Sequence, residues 1–111
     1  MTITLPYPPS VNRYWRTVNG RMLVSAEARA YKKDAGWLAK ASGMQPIDGD
    51  VAITIAAYRP QRRGDLDNVL KVLLDALISI AYEDDSQITE INAKRFDDKD
   101  NPRVEIDVVE A

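Results

Sequence analysis

Residues 61 to 71 carry the side chains best suited to chemistry: Arg62 and Arg63, then Gly64-Asp65-Leu66-Asp67-Asn68, then Lys71. Asp65 and Asp67 are one residue apart, so in extended chain both carboxylates point the same way. Lys71 and Asp75 follow Asp67 at intervals of four, which puts all three on one stripe of a helix. Leu70, Leu73, Leu74, Leu77 and Ile78 fall on the opposite side and predict its buried face. Two carboxylates entering a helix, with guanidinium groups just upstream, suit a hard divalent cation and a phosphate. A phosphodiester is a poor electrophile. A bound magnesium ion polarises its oxygen and activates water, while a lysine such as Lys71 offsets charge that builds in the transition state. A structural explanation competes: Asp67 as N-cap, Asp65 favoured by the helix dipole, and Lys71 paired within the helix for only about 0.2–0.5 kcal/mol. Capping accounts for one aspartate well and two poorly, and it leaves the arginines unexplained.

The elements that must position these groups follow from local pattern. Ile3 to Leu5 is a short strand, ended by Pro6, Pro8 and Pro9. Tyr14 to Val18 and Arg21 to Val24 flank Asn19-Gly20, a strong two-residue hairpin signal. This ribbon displays Arg13, Arg16 and Arg21 beside Tyr14 and Trp15, a mixture that suits phosphates and unstacked bases, unless the aromatics cover the core instead. Ser25 is a good N-cap for a helix that runs to about Ser42 and stops at Gly43. Tyr31, Ala35, Leu38 and Ala41 are expected to face the core, with Arg29, Lys32, Lys33 and Lys40 on a basic outer flank. Asp48-Gly49-Asp50 is a turn. Val51 to Tyr58 is small or apolar on both sides and reads as a central strand. After the polar Arg59 to Gly64, the second helix is expected to extend to about Ala81. Glu83-Asp84-Asp85 forms an acidic loop, and Ile88 to Phe96 with Arg103 to Val109 are expected to form a second hairpin. The resulting fold class is α+β, a mixed β-sheet with two helices packed on it, in the order β-hairpin-α-β-α-β-β.

Bulk properties narrow the chemistry. The 111 residues fit a single domain, 1–111, with a modest core. The sequence contains no cysteine and no histidine, which excludes disulfides, thiolate zinc sites, a thiol nucleophile and an imidazole base. No apolar run approaches the roughly 20 residues that span a bilayer. The N-terminus lacks a basic start followed by an apolar block, so no membrane association and a cytoplasmic location are expected. The net charge of −2 is unevenly spread: residues 1–64 carry +6 and residues 65–111 carry −8. Basic surface beside an acidic cluster suits an enzyme that grips phosphates and cuts them with a metal, although ordinary solvated faces would look the same by charge alone.

The chain resembles the RusA family of Holliday junction resolvases over nearly its whole length. The resemblance rests on Leu5-Pro6-Tyr7-Pro8-Pro9-Ser10-Val11-Asn12-Arg13-Tyr14, Val24-Ser25-Ala26-Glu27, Arg62-Arg63-Gly64-Asp65-Leu66-Asp67-Asn68, Lys71, Asp75-Ala76-Leu77 and Asp84-Asp85-Ser86-Gln87, in that order. It implies Asp65, Asp67 and Asp85 as metal-binding carboxylates, with Asp84 the alternative to Asp85, and Lys71 as the catalytic lysine. It further implies a homodimer that binds four-way junction DNA and nicks two strands symmetrically with Mg²⁺ or Mn²⁺, in DNA recombination and repair. Arg13, Arg16, Arg21, Arg59, Arg62 and Arg63 would hold the DNA arms. Some relatives place a basic residue directly before the first aspartate, where this chain has Gly64. A non-cleaving junction-binding module is the alternative from another class, and an interaction protein whose acidic half mimics DNA is a third.

Reach is a constraint on that ligand set. A helix from Asn68 to Ile80 is about 20 Å long, and the five residues from Ala81 to Asp85 return at most roughly 17 Å. Asp85 therefore meets Asp67 only if the helix is shorter, if Asp85 leans back beside the middle of the stripe, or if a partner subunit supplies it. The intrachain route is the expectation.

Overall fold

A computed structural model describes residues 1–9, 15–18, 21–24, 26–61 and 66–111, with the side chains at 15–18, 21–24, 67 and 68 outside that description. In chain order the elements are β1 (Thr2–Pro6), β2 (Trp15–Val18), β3 (Arg21–Val24), α1 (Ala26–Ala41), β4 (Val51–Arg59), α2 (Leu66–Ala76), β5 (Ile88–Asp97) and β6 (Arg103–Glu110). The four longer-range strands form one mixed sheet in the order β1-β6-β4-β5, and β2 and β3 pair separately. The β2–β3 register sets Val18 opposite Arg21, as a two-residue connection requires. Asn19-Gly20, Tyr14 and the Ser25 cap lie outside the described residues. Among the described residues no helix is long and apolar enough to cross a membrane.

Alternation builds the core. Ile3 and Leu5 of β1, Val51, Ile53, Ile55 and Ala57 of β4, and Val104, Ile106 and Val108 of β6 are all buried. Their registers, Ile3 with Ile106 and Ile106 with Ile55, place them on one face of the sheet. Thr54, Glu105 and Asp107 point the other way and are more exposed. The outer face keeps one aromatic cluster, with Tyr58 stacked on Phe96 at 5.1 Å and the Arg103 guanidinium 3.8 Å from the Tyr58 ring.

Three expectations are corrected. First, β5 and β6 do not form a hairpin: β4 lies between them, antiparallel to β6 and parallel to β5. A strand apolar on both faces takes the interior position, and the parallel pair makes β4-α2-β5 a crossover unit. Secondly, α1 buries Ala28, Tyr31, Ala35, Gly36 and Ala39, whereas Leu38 and Ala41 face outward. Small residues form the seam because α1 passes close to the turn after α2. A Cβ added at Gly36 would stand 2.9 Å from Ile80 Cδ1. The helix ends as expected at Gly43, with φ +92° and the two capping bonds, Gly43 N–H to Lys40 O at 3.1 Å and Met44 N–H to Ala39 O at 3.3 Å.

Thirdly, α2 stops at Ala76 rather than near Ala81. Leu77 and Tyr82 are both fully buried, so the apolar pattern continues through a turn that is no longer helical. Ser79 adopts φ +69°, its N–H donates to Tyr82 O at 2.6 Å, and the chain folds back. The Tyr82 hydroxyl, buried inside that turn, donates to Leu74 O at 2.6 Å and satisfies one carbonyl of the last helical turn. Tyr82→Phe leaves that carbonyl with only the longer bond from the Leu77 N–H, at 3.3 Å. It is expected to cost about 1–2 kcal/mol, read as a lower urea midpoint at unchanged slope.

Candidate functional site

The position of the acidic groups follows from the crossover. β4 and β5 run in parallel with Ile88 beside Val51 and Asp97 beside Arg59, so the connection must return along the sheet from the end of β4 to the start of β5. That distance is about 26 Å for eight strand steps. α2 makes most of the return. Asp67 lies in its first turn, Lys71 is exposed one turn later, and Asp75 is in its last turn. Asp67 and Asp75 are thus separated by about 12 Å along the axis.

Beyond the turn, the chain delivers Asp84 and Asp85 to the Asp75 end of the stripe. Burial raises the Tyr82 hydroxyl well above its ordinary value, and Asp75 and Asp85 raise it further through their charge, which puts both carboxylates near that ring. Asp85 is pushed up chiefly by a shared hydrogen bond with Asp84 and by its charge, with Asp75 adding to the repulsion. Asp84 is correspondingly held down by hydrogen bonds from Asp85 and Ser86. The Ser86 hydroxyl donates to Asp84 Oδ2 at 3.0 Å.

Gln87 fixes this loop to the body of the fold. Its amide oxygen accepts from the Glu83 and Asp84 N–H groups at 2.8 and 3.0 Å, and its amide nitrogen donates to Ile47 O and Gly49 O, both at 2.7 Å. One side chain thereby ties the acidic loop to the turn that precedes β4, and Gly49, at φ +84°, shapes that turn.

A second charged group gathers at the other end of the sheet. Tyr7, just after β1, lies near both Arg95 of β5 and Arg59 of β4. Arg59 Nε donates to Asp97 Oδ1, and the Arg59 side chain is only 15% exposed. Expected as a DNA contact, Arg59 is therefore turned largely into the protein, at the edge from which the chain departs toward Asp65.

Of the predicted site residues, the structure describes the side chains of Lys71, Asp84, Asp85 and Arg59. Arg13, Arg62, Arg63, Gly64 and Asp65 lie outside the described residues, as do the side chains of Arg16, Arg21 and Asp67. Among the described residues no three acidic groups stand close enough to form a ready-made metal cage. What is assembled is partial: Asp85 and Asp84 exposed on the loop, with Asp75 acting on them from the helix. Clustered carboxylates that raise one another's affinity for protons are also the oxygen donors that a hard divalent cation takes, usually with several waters retained. The donor chemistry fits such an ion.

Geometry limits which donors share it. One ion with oxygens at about 2.1 Å touches groups roughly 4 Å apart, against about 12 Å along α2 between Asp67 and the residue Asp85 approaches. Asp75, Gln87, Tyr82 and Arg95 were not anticipated as site-building residues. Asp75 had a signal, since it closes the four-residue spacing that begins at Asp67. Gln87 and Tyr82 had none, because their hydrogen bonds join backbone groups distant in sequence.

The sequence model of the family described as Endodeoxyribonuclease RusA matches residues 6–109. The chain is 36% identical over 111 residues to a crossover junction endodeoxyribonuclease of Enterobacteria phage 82, covering 97% of this chain and 92% of the relative. It is 36% identical over 112 residues to the crossover junction endodeoxyribonuclease of Escherichia coli strain K12, covering 98% and 93%. A third relative of the same description, from Enterobacteria phage HK97, is 38% identical over 94 residues, covering 82% and 78%.

The Asp84–Asp85 arrangement predicts a signed pH response. Asp85, raised in the folded state, contributes stability at low pH that is lost as pH rises from its unfolded value through its raised one. Asp84, depressed, contributes in the opposite sense and loses its contribution as pH falls. Asp85→Asn is therefore expected to melt slightly above the wild type near pH 7 in chelator, with the advantage gone near pH 3. Carboxyl NMR titration should place Asp85 above Asp84.

Proposed function

The chain belongs to the RusA endodeoxyribonuclease family, and on that footing we propose that it is a magnesium-dependent, structure-selective endonuclease resolving Holliday junctions by paired symmetric nicks in DNA recombination and repair. The observation that supports this most is the match across residues 6–109, together with Asp67 in the first turn of α2, ahead of an exposed Lys71. Asp65, Asp67 and Asp85 would hold the ion, for which manganese can substitute. When bound, the ion would polarise the phosphoryl oxygen and lower the pKa of water for in-line attack.

The chain's own groups do the rest. Lys71, one turn along α2 from Asp67, brings an ammonium to the face where the phosphate accumulates charge. Arg62 and Arg63, just upstream of the motif, and Arg13, Arg16 and Arg21 of the N-terminal segment neutralise backbone phosphates and set the register of the DNA. Arg59, three residues before Arg62 in the chain, is held by its pairing with Asp97.

α2 ends at Ala76, which lengthens the return to Asp85 and keeps the intrachain route open, while the distance of about 12 Å along the axis from Asp67 to Asp75 suits Asp85 from a second copy. A homodimer that places one chain's Asp67 end against its partner's Asp85 end completes two equivalent sites related by the twofold axis, which suits two cuts in a pseudo-symmetric four-way junction.

Asp67→Asn is the direct test of the activity. It removes a metal ligand and relieves repulsion of phosphate, so junction cleavage should fall at least a hundredfold while junction affinity in chelator stays equal or improves. A wild type that never nicks a junction with Mg²⁺ or Mn²⁺ would leave a binding module instead. Mixed dimers test the shared site. Asp67→Asn and Asp85→Asn chains, each inactive alone, should regain single-strand nicking when mixed, because one of the two composite sites is then intact. Intrachain sites would stay dead in every mixture.

A further inference from the structure

Trp37 has the most exposed large apolar side chain among the described residues, at 69%. α1 packs through its small residues, and Trp37 is turned away from that seam. Lys33, Trp37 and Lys40 stand at positions i, i+4 and i+7, which lie on one stripe of the helix. All three line a groove of about 770 Å³ whose opposite wall includes Ile78 and Ile80, in the turn that ends α2. Asp34 is the one carboxylate in its lining. The two lysines are separated by about 10.5 Å along the helix axis, with the indole between them.

We propose that this groove takes an unpaired nucleobase of a DNA strand, stacked on Trp37 with its flanking phosphates on Lys33 and Lys40. The assignment rests on the junction-nuclease reading and names a strand-binding site on the same protein. A nucleobase presents two apolar faces edged by polar groups and is tethered between anions. The groove offers apolar walls and an aromatic plane bracketed by cations, the combination that binds single strands without sequence preference. The core of a protein-docking patch is usually depleted of lysine, whereas this stripe has a lysine on each side of its one aromatic. Arg29 and Lys32 extend the positive charge along α1. The groove also borders the turn that carries the chain from α2 toward Asp84 and Asp85, and Gly36 brings α1 against Ile80 there. The groove therefore lies against the same turn that leads to the proposed ligand Asp85. At the centre of a four-way junction, bases can leave the stack at lower cost than in duplex.

The test is binding in chelator, so that nothing is cut, with three fluorescein-labelled probes: a four-way junction, a duplex of one arm, and a short oligothymidylate. Trp37→Ala should weaken the junction and the oligothymidylate about tenfold and leave the duplex nearly unchanged, while Trp37→Phe keeps most of the affinity. Lys33→Ala and Lys40→Ala should each reduce the salt dependence of junction binding by about one phosphate contact. In a Trp15→Phe background, where Trp37 is the remaining tryptophan, oligothymidylate should quench its emission. Unchanged affinities with unquenched emission overturn the proposal. So does a Trp37→Ala chain that changes sedimentation and loses all three probes alike, since the face is then an interface between protein copies. If wild type fails to bind junctions but oligothymidylate still quenches Trp37, the strand site stands and the junction reading falls. Junction cleavage with no Trp37 effect has the opposite meaning.

Discussion

Parallel pairing of β4 with β5 is the constraint from which the site follows. Two neighbouring parallel strands cannot be joined by a tight turn. Residues 60–87 must therefore travel back along the sheet, and α2 is the rigid part of that return. The helix is too short to cover the whole distance, so a folded-back turn completes it. In that turn Ser79 takes the left-handed conformation, Tyr82 is buried with its hydroxyl on Leu74 O, and Gln87 spends all its amide valences on the 47–49 turn and the acidic loop. The loop's backbone is thus held by hydrogen bonds while its carboxylates face solvent.

That division of labour explains how the fold tolerates the concentration of negative charge. Asp75, Asp84 and Asp85 repel one another, which is visible in the proton affinity of Asp85. Because Asp84 and Asp85 are exposed, water and salt screen most of the repulsion, and its effect on stability is small. The buried groups beneath, Leu77, Ala81 and Tyr82, keep the loop from moving away to relieve it. A cation-binding site needs this combination: charge in contact with solvent, supported by packing that the charge cannot disrupt.

The sequence made plain whatever is carried by period and punctuation. Gly43 ended α1, the Val104-Ile106-Val108 alternation specified a half-exposed strand, and the apolar nature of both faces of β4 marked it as central. Neighbour relations were less legible. Two consecutive strands joined by a short polar loop look like a hairpin, and nothing in the alternation of β5 or β6 records that β4 is inserted between them. The end of α2 was misread because Leu77 and Ile78 continue the helical spacing while serving the turn. Nor does spacing announce which side of α1 is buried: a seam of alanine and glycine has little hydrophobicity, yet it wins because close approach to the Ile80 turn excludes larger side chains. Of the site, the Asp67-Lys71-Asp75 stripe was legible. The convergence of Asp85 on Asp75 was not, since it depends on Tyr82 and Gln87 bonding to backbone remote in sequence.

The same geometry bears on the proposed pairing of two chains. Asp67 lies in the first turn of α2, and the acidic loop lies toward the helix's other end. A rigid rod about 12 Å long between Asp67 and Asp75 therefore separates the two parts of the proposed ligand set. Two copies related by a twofold axis that runs across the rod would bring unlike ends together twice and so complete two sites of the proposed kind. Under that arrangement a single chain holds only half of each ligand set. Cleavage would then be tied to assembly, with two sites formed at once or not at all, which suits paired cuts.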